Sequence, residues 1–218
     1  MYKRSKSTKS KSKSNKKTEK GPMSYFEALS SVNNVKGTFI ELGFGKGINL
    51  KEFISYMNNE IITKRDIWLY DSFEGYNNPA EEDGDTFVKG GHKRPFGPAM
   101  DIRHTIKTNV TVVKGYVEDT FGGSYLSDQP IAIAHMDLVS YSSTLFSLNR
   151  IHSKLAIKGI AVISGYKDYA GVKLALDKFL RDNKADYKVI SKDNIAVIKR
   201  TEQKTIKGFI KRTITPRY

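Results

Sequence analysis

Three groups of residues in this chain have types and spacing suited to chemistry. Thr38-Phe-Ile-Glu-Leu-Gly-Phe-Gly-Lys-Gly47 runs from apolar residues into glycines two apart, led by Glu41. Trp68-Leu-Tyr-Asp-Ser-Phe-Glu-Gly75 closes an apolar run on a carboxylate, Asp71. A glycine turn lets backbone approach a ligand closely, because glycine has no Cβ and tolerates positive φ. An acidic residue closing the following strand is placed to take both hydroxyls of a ribose. The third group is Asp137, at the end of the apolar run from Ile131, with His92 in the loop Phe87-Val-Lys-Gly-Gly-His-Lys-Arg-Pro95. A carboxylate and an imidazole are the side chains that remove a proton from a reacting hydroxyl. The chemistry indicated by the first two groups is an adenosine-type ligand held at the carboxyl edge of a parallel sheet.

The spacing narrows the ligand. A dinucleotide fingerprint needs Gly-x-Gly-x-x-Gly, whereas Gly43, Gly45 and Gly47 alternate. No Gly-x-x-x-x-Gly-Lys-Ser/Thr phosphate loop occurs either. The loop bearing His92 follows the acidic run Glu81-Glu-Asp-Gly-Asp85, and it reads either as a lid closing over a substrate, which its glycines suit, or as an ordinary solvated loop. His135 lies two residues before Asp137, on the same strand face, and reads as a packed strand histidine. His104 and His152 fall in helical stretches and read as structural or exposed.

The elements that must position these groups alternate along the chain. A leading helix is expected over 23–32, then strand 37–42, helix 47–59 and strand 66–71. A long loop over 72–98 precedes a helix around 99–107 and a strand over 110–117. Strand 131–137, helix 142–157, strand 159–165 and helix 170–182 follow, before strands 187–191 and 194–199. Such alternation predicts an α/β fold, a mostly parallel sheet with helices on both faces. Ile131-Ala-Ile-Ala134 and Ile160-Ala-Val-Ile163 are apolar throughout, as strands buried on both faces must be. The last two strands are separated only by a short turn at 192–194, which requires antiparallel pairing. The predicted fold is a Rossmann-like, seven-stranded, mostly parallel sheet ending in an antiparallel hairpin.

Glu-x-Gly-x-Gly-x-Gly over 41–47 resembles the first motif of class I S-adenosylmethionine-dependent methyltransferases, and the terminal hairpin matches their sheet. Within that class the chain resembles the macrocin O-methyltransferase (TylF-like) family. Asp71-Ser-Phe-Glu-Gly75 matches that family's signature after its second strand. Val113-Lys-Gly-Tyr-Val-Glu-Asp-Thr-Phe121 and Met136-Asp-Leu-Val-Ser-Tyr-Ser-Ser-Thr144 resemble its segments after the third and fourth strands. Gly165-Tyr166 and Gly171-Val-Lys-Leu-Ala-Leu-Asp-Lys-Phe179 fit its final strand and helix.

The resemblance implies roles for particular residues. Glu41, Gly43 and Gly45 would line the methionine and ribose end of S-adenosylmethionine. Asp71 would hold the ribose hydroxyls with Ser72 beside it, while Gly115 and Tyr116 pass near the adenine. Glu41 as a helix cap and Gly115 as a simple bend are the plainer alternatives. The acceptor would be a small molecule bearing a hydroxyl, with Asp137 the first candidate base and His92 the second. The family implied here also gathers carboxylates for a divalent cation. This chain keeps Asp137 but has Val139, Ser164 and Gly165 where the family has the others, so no metal site is expected; Asp168 is the nearest substitute in sequence.

Composition bounds the remaining possibilities. The chain has 218 residues, enough for one domain with a substantial core. It has no cysteine, which removes disulfides and thiolate metal sites. No apolar run approaches the roughly 20 residues of a membrane span, and the Lys/Ser-rich start lacks the apolar stretch of a secretory signal. A reducing, cytoplasmic setting is expected. The net charge of +14 is concentrated at the ends. Residues 1–20 hold nine Lys/Arg against Glu19, and residues 199–218 hold seven against Glu202, so 21–198 carry 21 of each sign. Residues 1–20 therefore read as a disordered tail, 21–200 as the methyltransferase domain, and 201–218 as a basic C-terminal tail. The N-terminal tail reads first as solubilising, the sharper reading being docking onto an acidic partner such as RNA or an anionic surface. The C-terminal tail reads as a short basic amphipathic arm or a frayed end. Two rival functions follow from them: a cofactor-binding scaffold that has lost catalysis, or a methyltransferase directed at nucleic acid. A homo-oligomer is compatible with the sequence.

Overall fold

A computed structural model describes residues 25–59, 65–85, 87–97, 99–101, 109–122, 129–192 and 194–202. The expected tails over 1–20 and 203–218, and most of the helix expected around 99–107, lie outside the described residues.

The chain forms α1 (Tyr25–Ser30), β1 (Thr38–Leu42), α2 (Ile48–Asn59), β2 (Ile67–Asp71) and β3 (Val110–Lys114). Then come α3 (Val117–Thr120), β4 (Ile131–Met136), α4 (Tyr141–Lys154), β5 (Leu155–Ile163) and α5 (Ala170–Asp182), before β6 (Tyr187–Lys192) and β7 (Ala196–Arg200). The seven strands pair in the order β3-β2-β1-β4-β5-β7-β6. Pairing is parallel from β3 through β5, and β7 is antiparallel to both β5 and β6. The predicted parallel sheet with a terminal hairpin is the observed fold.

Side-chain alternation along the strands builds two cores. Ile40, Leu42, Tyr70 and Met136 pack with Leu148 and Ile151 of α4 and Leu176 and Phe179 of α5. Phe39, Leu69, Ile133 and Val162 face the other way and meet Leu29 of α1 and Leu50 and Phe53 of α2. Phe39 and Phe53 stack with centroids 4.0 Å apart. Since both faces are covered, β1 and β4 are buried along their whole length, and apart from Thr38, Glu41 and His135 their side chains are apolar.

Two boundaries differ from the sequence expectation for identifiable reasons, beyond shifts of one or two residues at other ends. The strand expected over 110–117 ends at Lys114, because the chain turns at Gly115 and starts α3 at Val117. The helix expected over 142–157 ends at Lys154, and Leu155 already belongs to β5. No glycine or proline marks that stop. The reason is tertiary: Leu155 pairs with Ile131, the register then slips before Ile133 meets Ile160, and Lys158 absorbs the irregularity with φ 69°.

Candidate functional site

Parallel pairing places the carboxyl ends of β1, β2, β4 and β5 on one edge, and hydrogen bonds continue across their tips. Gly43 N–H donates to Tyr70 O, Asp137 N–H to Leu42 O and Ser164 N–H to Met136 O, each at 2.9 Å. Strand order reverses between β1 and β4, and ligands of open α/β sheets bind outside the carboxyl ends at such a switch point. A cavity of about 590 Å³ opens there. Of the residues singled out from sequence, Gly43, Gly45, Asp71, Ser72, His92, Tyr116 and Asp137 all line it.

Gly43 and Gly45 serve different ends. Gly43 has φ 84°, and a Cβ there would stand 2.5 Å from the Asp137 carbonyl oxygen, so only glycine lets the β1 turn pass the end of β4. Gly45 has φ 55°, but nothing lies within 4 Å of where its Cβ would stand. That open side is room for a ligand against the backbone. Asp71 ties this turn down. Its Oδ2 accepts Gly45 N–H at 2.9 Å and its Oδ1 accepts Phe73 N–H at 2.7 Å. Each carboxylate oxygen has a second lone pair, so Asp71 holds the turn and retains acceptor capacity for ribose hydroxyls. Ser72 is occupied locally: its Oγ donates to Gly75 O and accepts Glu74 N–H, both at 3.1 Å.

Two predicted cofactor residues are not on the cavity wall. Glu41 is still inside β1, paired in register with Leu69 and His135, and is fully buried beneath the edge. Its Oε1 lies 3.8 Å from His135 Nδ1, an ion-pair separation. Burial raises the Glu41 carboxyl above its ordinary pKa, with His135 acting in the opposite direction. The other side of His135 meets Ser164, with Nε2 3.1 Å from Oγ. The packed histidine expected on β4 is therefore the centre of a buried Glu41–His135–Ser164 row. Gly115 packs against Thr120 of α3, where a Cβ would come within 2.6 Å of Cγ2, and the neighbouring Tyr116 faces the cavity instead.

Asp137 is the carboxylate open to the cavity at the end of β4. The surrounding protein still raises its pKa through lost hydration; His135 pulls it down and the Asp71 charge pushes it up. A carboxylate held above its usual range is a stronger base when ionised, which suits proton removal. His92 also lines the cavity, with φ 61° and its ring 5.1 Å from that of Tyr76. The loop carrying it is fastened to Tyr76: Tyr76 N–H donates to Gly91 O and Gly90 N–H donates to Tyr76 O, both at 2.9 Å.

Several wall residues escaped sequence reasoning. Tyr76, Asn77, Arg94, Glu118, Ser143 and Tyr169 all line the cavity. Tyr76 and Asn77 directly follow the Asp71 signature and Arg94 stands two residues after His92, so adjacency was the available signal. Ser143 lies within the 136–144 segment and Tyr169 directly follows Asp168, yet only the packing of α4 and of the turn before α5 brings them to the cavity.

The edge suits an adenosine-type ligand better than a metal. The free space beside Gly45 and the spare lone pairs of Asp71 fit a nucleoside. A divalent cation takes several hard oxygens. Here Asp137 is joined by Ser164, whose hydroxyl is engaged by His135, while Val139 and Gly165 add no side-chain oxygen. Asp168 lines the same cavity, yet no three His, Cys, Asp or Glu among the described residues gather as a metal would need. This donor set does not fit the cation that the resemblance implies. Among the described residues no helix is long and apolar enough to cross a membrane.

Comparison with known proteins agrees with this geometry. The O-methyltransferase NovP superposes with a TM-score of 0.65 at 19% identity, over 81% of this chain and 78% of that one. CalS11, a calicheamicin methyltransferase, gives 0.66 at 22% identity, over 79% and 75%. The S-adenosylhomocysteine-bound Podospora anserina methyltransferase PaMTH1 gives 0.55 at 13%, over 80% and 76%. At these identities the likeness shows the fold. No curated protein sequence matches the chain. A family model does: that of macrocin-O-methyltransferase (TylF) matches residues 24–201, almost the whole of the folded region. The chain belongs to the macrocin-O-methyltransferase (TylF) family.

Proposed function

We propose that this protein is an S-adenosylmethionine-dependent O-methyltransferase acting on a hydroxyl of a sugar-like or other small polar acceptor. The observation that carries the reading is the convergence of the Gly43–Gly45 turn, Asp71 and Asp137 on one cavity at the switch point of a TylF-family sheet. PaMTH1 is described with S-adenosylhomocysteine bound, and CalS11 also as a TDP-rhamnose 3'-O-methyltransferase, which favours this cofactor and a sugar hydroxyl here.

Gly43, Gly45, Asp71, Ser72 and Tyr116 are the residues that would hold the cofactor. When bound, S-adenosylmethionine supplies an already activated methyl group, so the protein's main task is alignment. The acceptor hydroxyl would lose its proton to Asp137 as the O–CH3 bond forms and the S–CH3 bond of the cofactor breaks, leaving S-adenosylhomocysteine. His92, which lines the same cavity, is the alternative base. The Glu41–His135–Ser164 row lies beneath and fixes the end of β5 next to Asp137. No step is assigned to a metal, because the donors do not suit one.

The test is direct. The purified full chain is titrated with S-adenosylmethionine and then incubated with methyl-labelled cofactor and a panel of sugars. Micromolar binding and label appearing as a methyl ether support the reading. Absence of cofactor binding overturns it. Binding without transfer to any hydroxyl would favour the scaffold alternative.

A further inference from the structure

Two adjacent cations on the 87–95 loop are treated differently. Lys93 Nζ lies 2.6 Å from Glu74 Oε2 on the exposed side. Arg94 is half-buried and lines the cavity. Its one hydrogen bond among the described residues runs from Nη1 to the Lys93 carbonyl at 3.2 Å, and it makes no ion pair with a described carboxylate. A guanidinium carries five N–H donors in a planar fork. Most of that fork is therefore without an acceptor among the described residues.

The cavity's acidic residues do not substitute for one. Asp71 accepts Gly45 and Phe73 N–H, and Glu118 accepts the Ser143 hydroxyl at 2.6 Å. Asp137 and Asp168 come from the β4 and β5 side. Tyr76 and Tyr169 line the same cavity, and the Arg94 charge acts on the Tyr76 phenol. Tyr76 stands 4.8 Å from Phe87 and 5.1 Å from His92 between ring centroids, and Phe87 meets Tyr169 at 6.1 Å. Burial raises the Tyr76 phenol to about 12, so it stays a hydrogen-bond donor. The two hydrogen bonds fastening Gly90 and Gly91 to Tyr76 hold the loop, and so the stem of Arg94, in place.

We propose that Arg94 anchors the acceptor, and that the acceptor is a sugar bearing an anionic group, phosphate or carboxylate, seated against Tyr76 and Tyr169. The fork matches both anions in a bidentate manner that a lysine would not reproduce. A neutral sugar would leave a half-buried cation short of partners. This inference rests on the methyltransferase reading of the same cavity.

The test uses the full chain saturated with S-adenosylhomocysteine, titrated calorimetrically at low salt with glucose, glucose 1-phosphate and glucuronate. At least one charged sugar should bind tenfold or more tightly than glucose, and which one does so separates phosphate from carboxylate. Arg94→Gln should erase the preference while S-adenosylhomocysteine affinity stays unchanged, which also reports that the variant is folded. Arg94→Lys should recover part of the preference. Equal affinities, no binding of either charged sugar, or a preference surviving in Arg94→Gln would overturn the proposal. Failure of the wild-type protein to bind S-adenosylhomocysteine would instead remove the cofactor reading beneath it.

Discussion

The tips of β1 and β2 and the tips of β4 and β5 form two halves of one edge, built by different means. In the first half the ligand surface is mostly backbone. Asp71 uses both carboxylate oxygens to pull the glycine turn and the next loop into place. In the second half the surface is side chain. Asp137 opens to the cavity, and Ser164 is held from below by His135. A backbone cradle specifies a shape and depends little on surrounding residues. A side-chain site specifies a reaction and changes with one substitution. Gly43 joins the halves, because the turn of the first passes within van der Waals reach of the carbonyl of Asp137 in the second.

The largest effect expected tests the second half alone. Asp137→Asn should lower kcat by about 10²–10⁴-fold, the usual worth of a general base, with cofactor affinity changed little. In the wild type the acid limb of kcat should lie above the ordinary aspartate value of about 3.9, because burial raises this carboxyl. The ionised form is the base, so activity is lost as pH falls through that raised value. A normal rate in Asp137→Asn would pass the role to His92, checked by His92→Gln.

Next in size is the first half. Asp71→Ala removes two backbone anchors together with the expected ribose acceptor, and should weaken S-adenosylmethionine binding by on the order of 100-fold, about 2.7 kcal/mol. Calorimetry showing an unchanged affinity would end the assignment of this cradle.

Gly43→Ala and Gly45→Ala test the joint. Gly43→Ala combines positive φ with a collision against backbone and should cost roughly 2–4 kcal/mol of stability, read as a lowered unfolding midpoint in urea. Gly45→Ala has open space, so about 1 kcal/mol is expected from conformation alone, with a separate loss of cofactor affinity. Equal destabilisation by the two would mean the halves are not coupled through Gly43.

The smallest effect concerns the row beneath. Burial raises the folded-state pKa of Glu41 above its unfolded value. The stability it contributes is therefore fully present below the unfolded pKa, near 4.3, and is lost as pH rises through the folded one. Glu41→Gln should gain on the wild type as pH goes from 4 to 8, by about 1 kcal/mol. Denaturation midpoints that differ by the same amount at both pH values would contradict that.

Much of the first half was legible in the sequence, for a local reason. Glycine spacing and an acid closing the next strand are encoded within a few residues, and both landed on the cavity wall. The second half was legible in part. Asp137 followed from a strand-end carboxylate, but Glu41 was expected on the wall and lies beneath it. Its neighbour across the sheet, His135, is 94 positions away in sequence, and only strand pairing reveals that the two face each other. Arg94 and Tyr76 had only adjacency to His92 and to the Asp71 signature as a signal; that the 87–95 loop is fastened to Tyr76 emerges only in the tertiary structure. The end of α4 at Lys154 belongs in the same class, since the strand pairing of Leu155 overrides a sequence that would continue as helix.

The sequence by itself determined the alternating elements, the parallel sheet with its terminal hairpin, and the glycine turn with Asp71, because periodicity and turn chemistry act over a few residues. The tertiary structure decided which side chains share the cavity, which of two neighbouring cations turns inward, and that Glu41 supports the site from below. Those facts depend on the order and register of strands distant in the chain, and burial then set the proton affinities of Glu41 and Asp137.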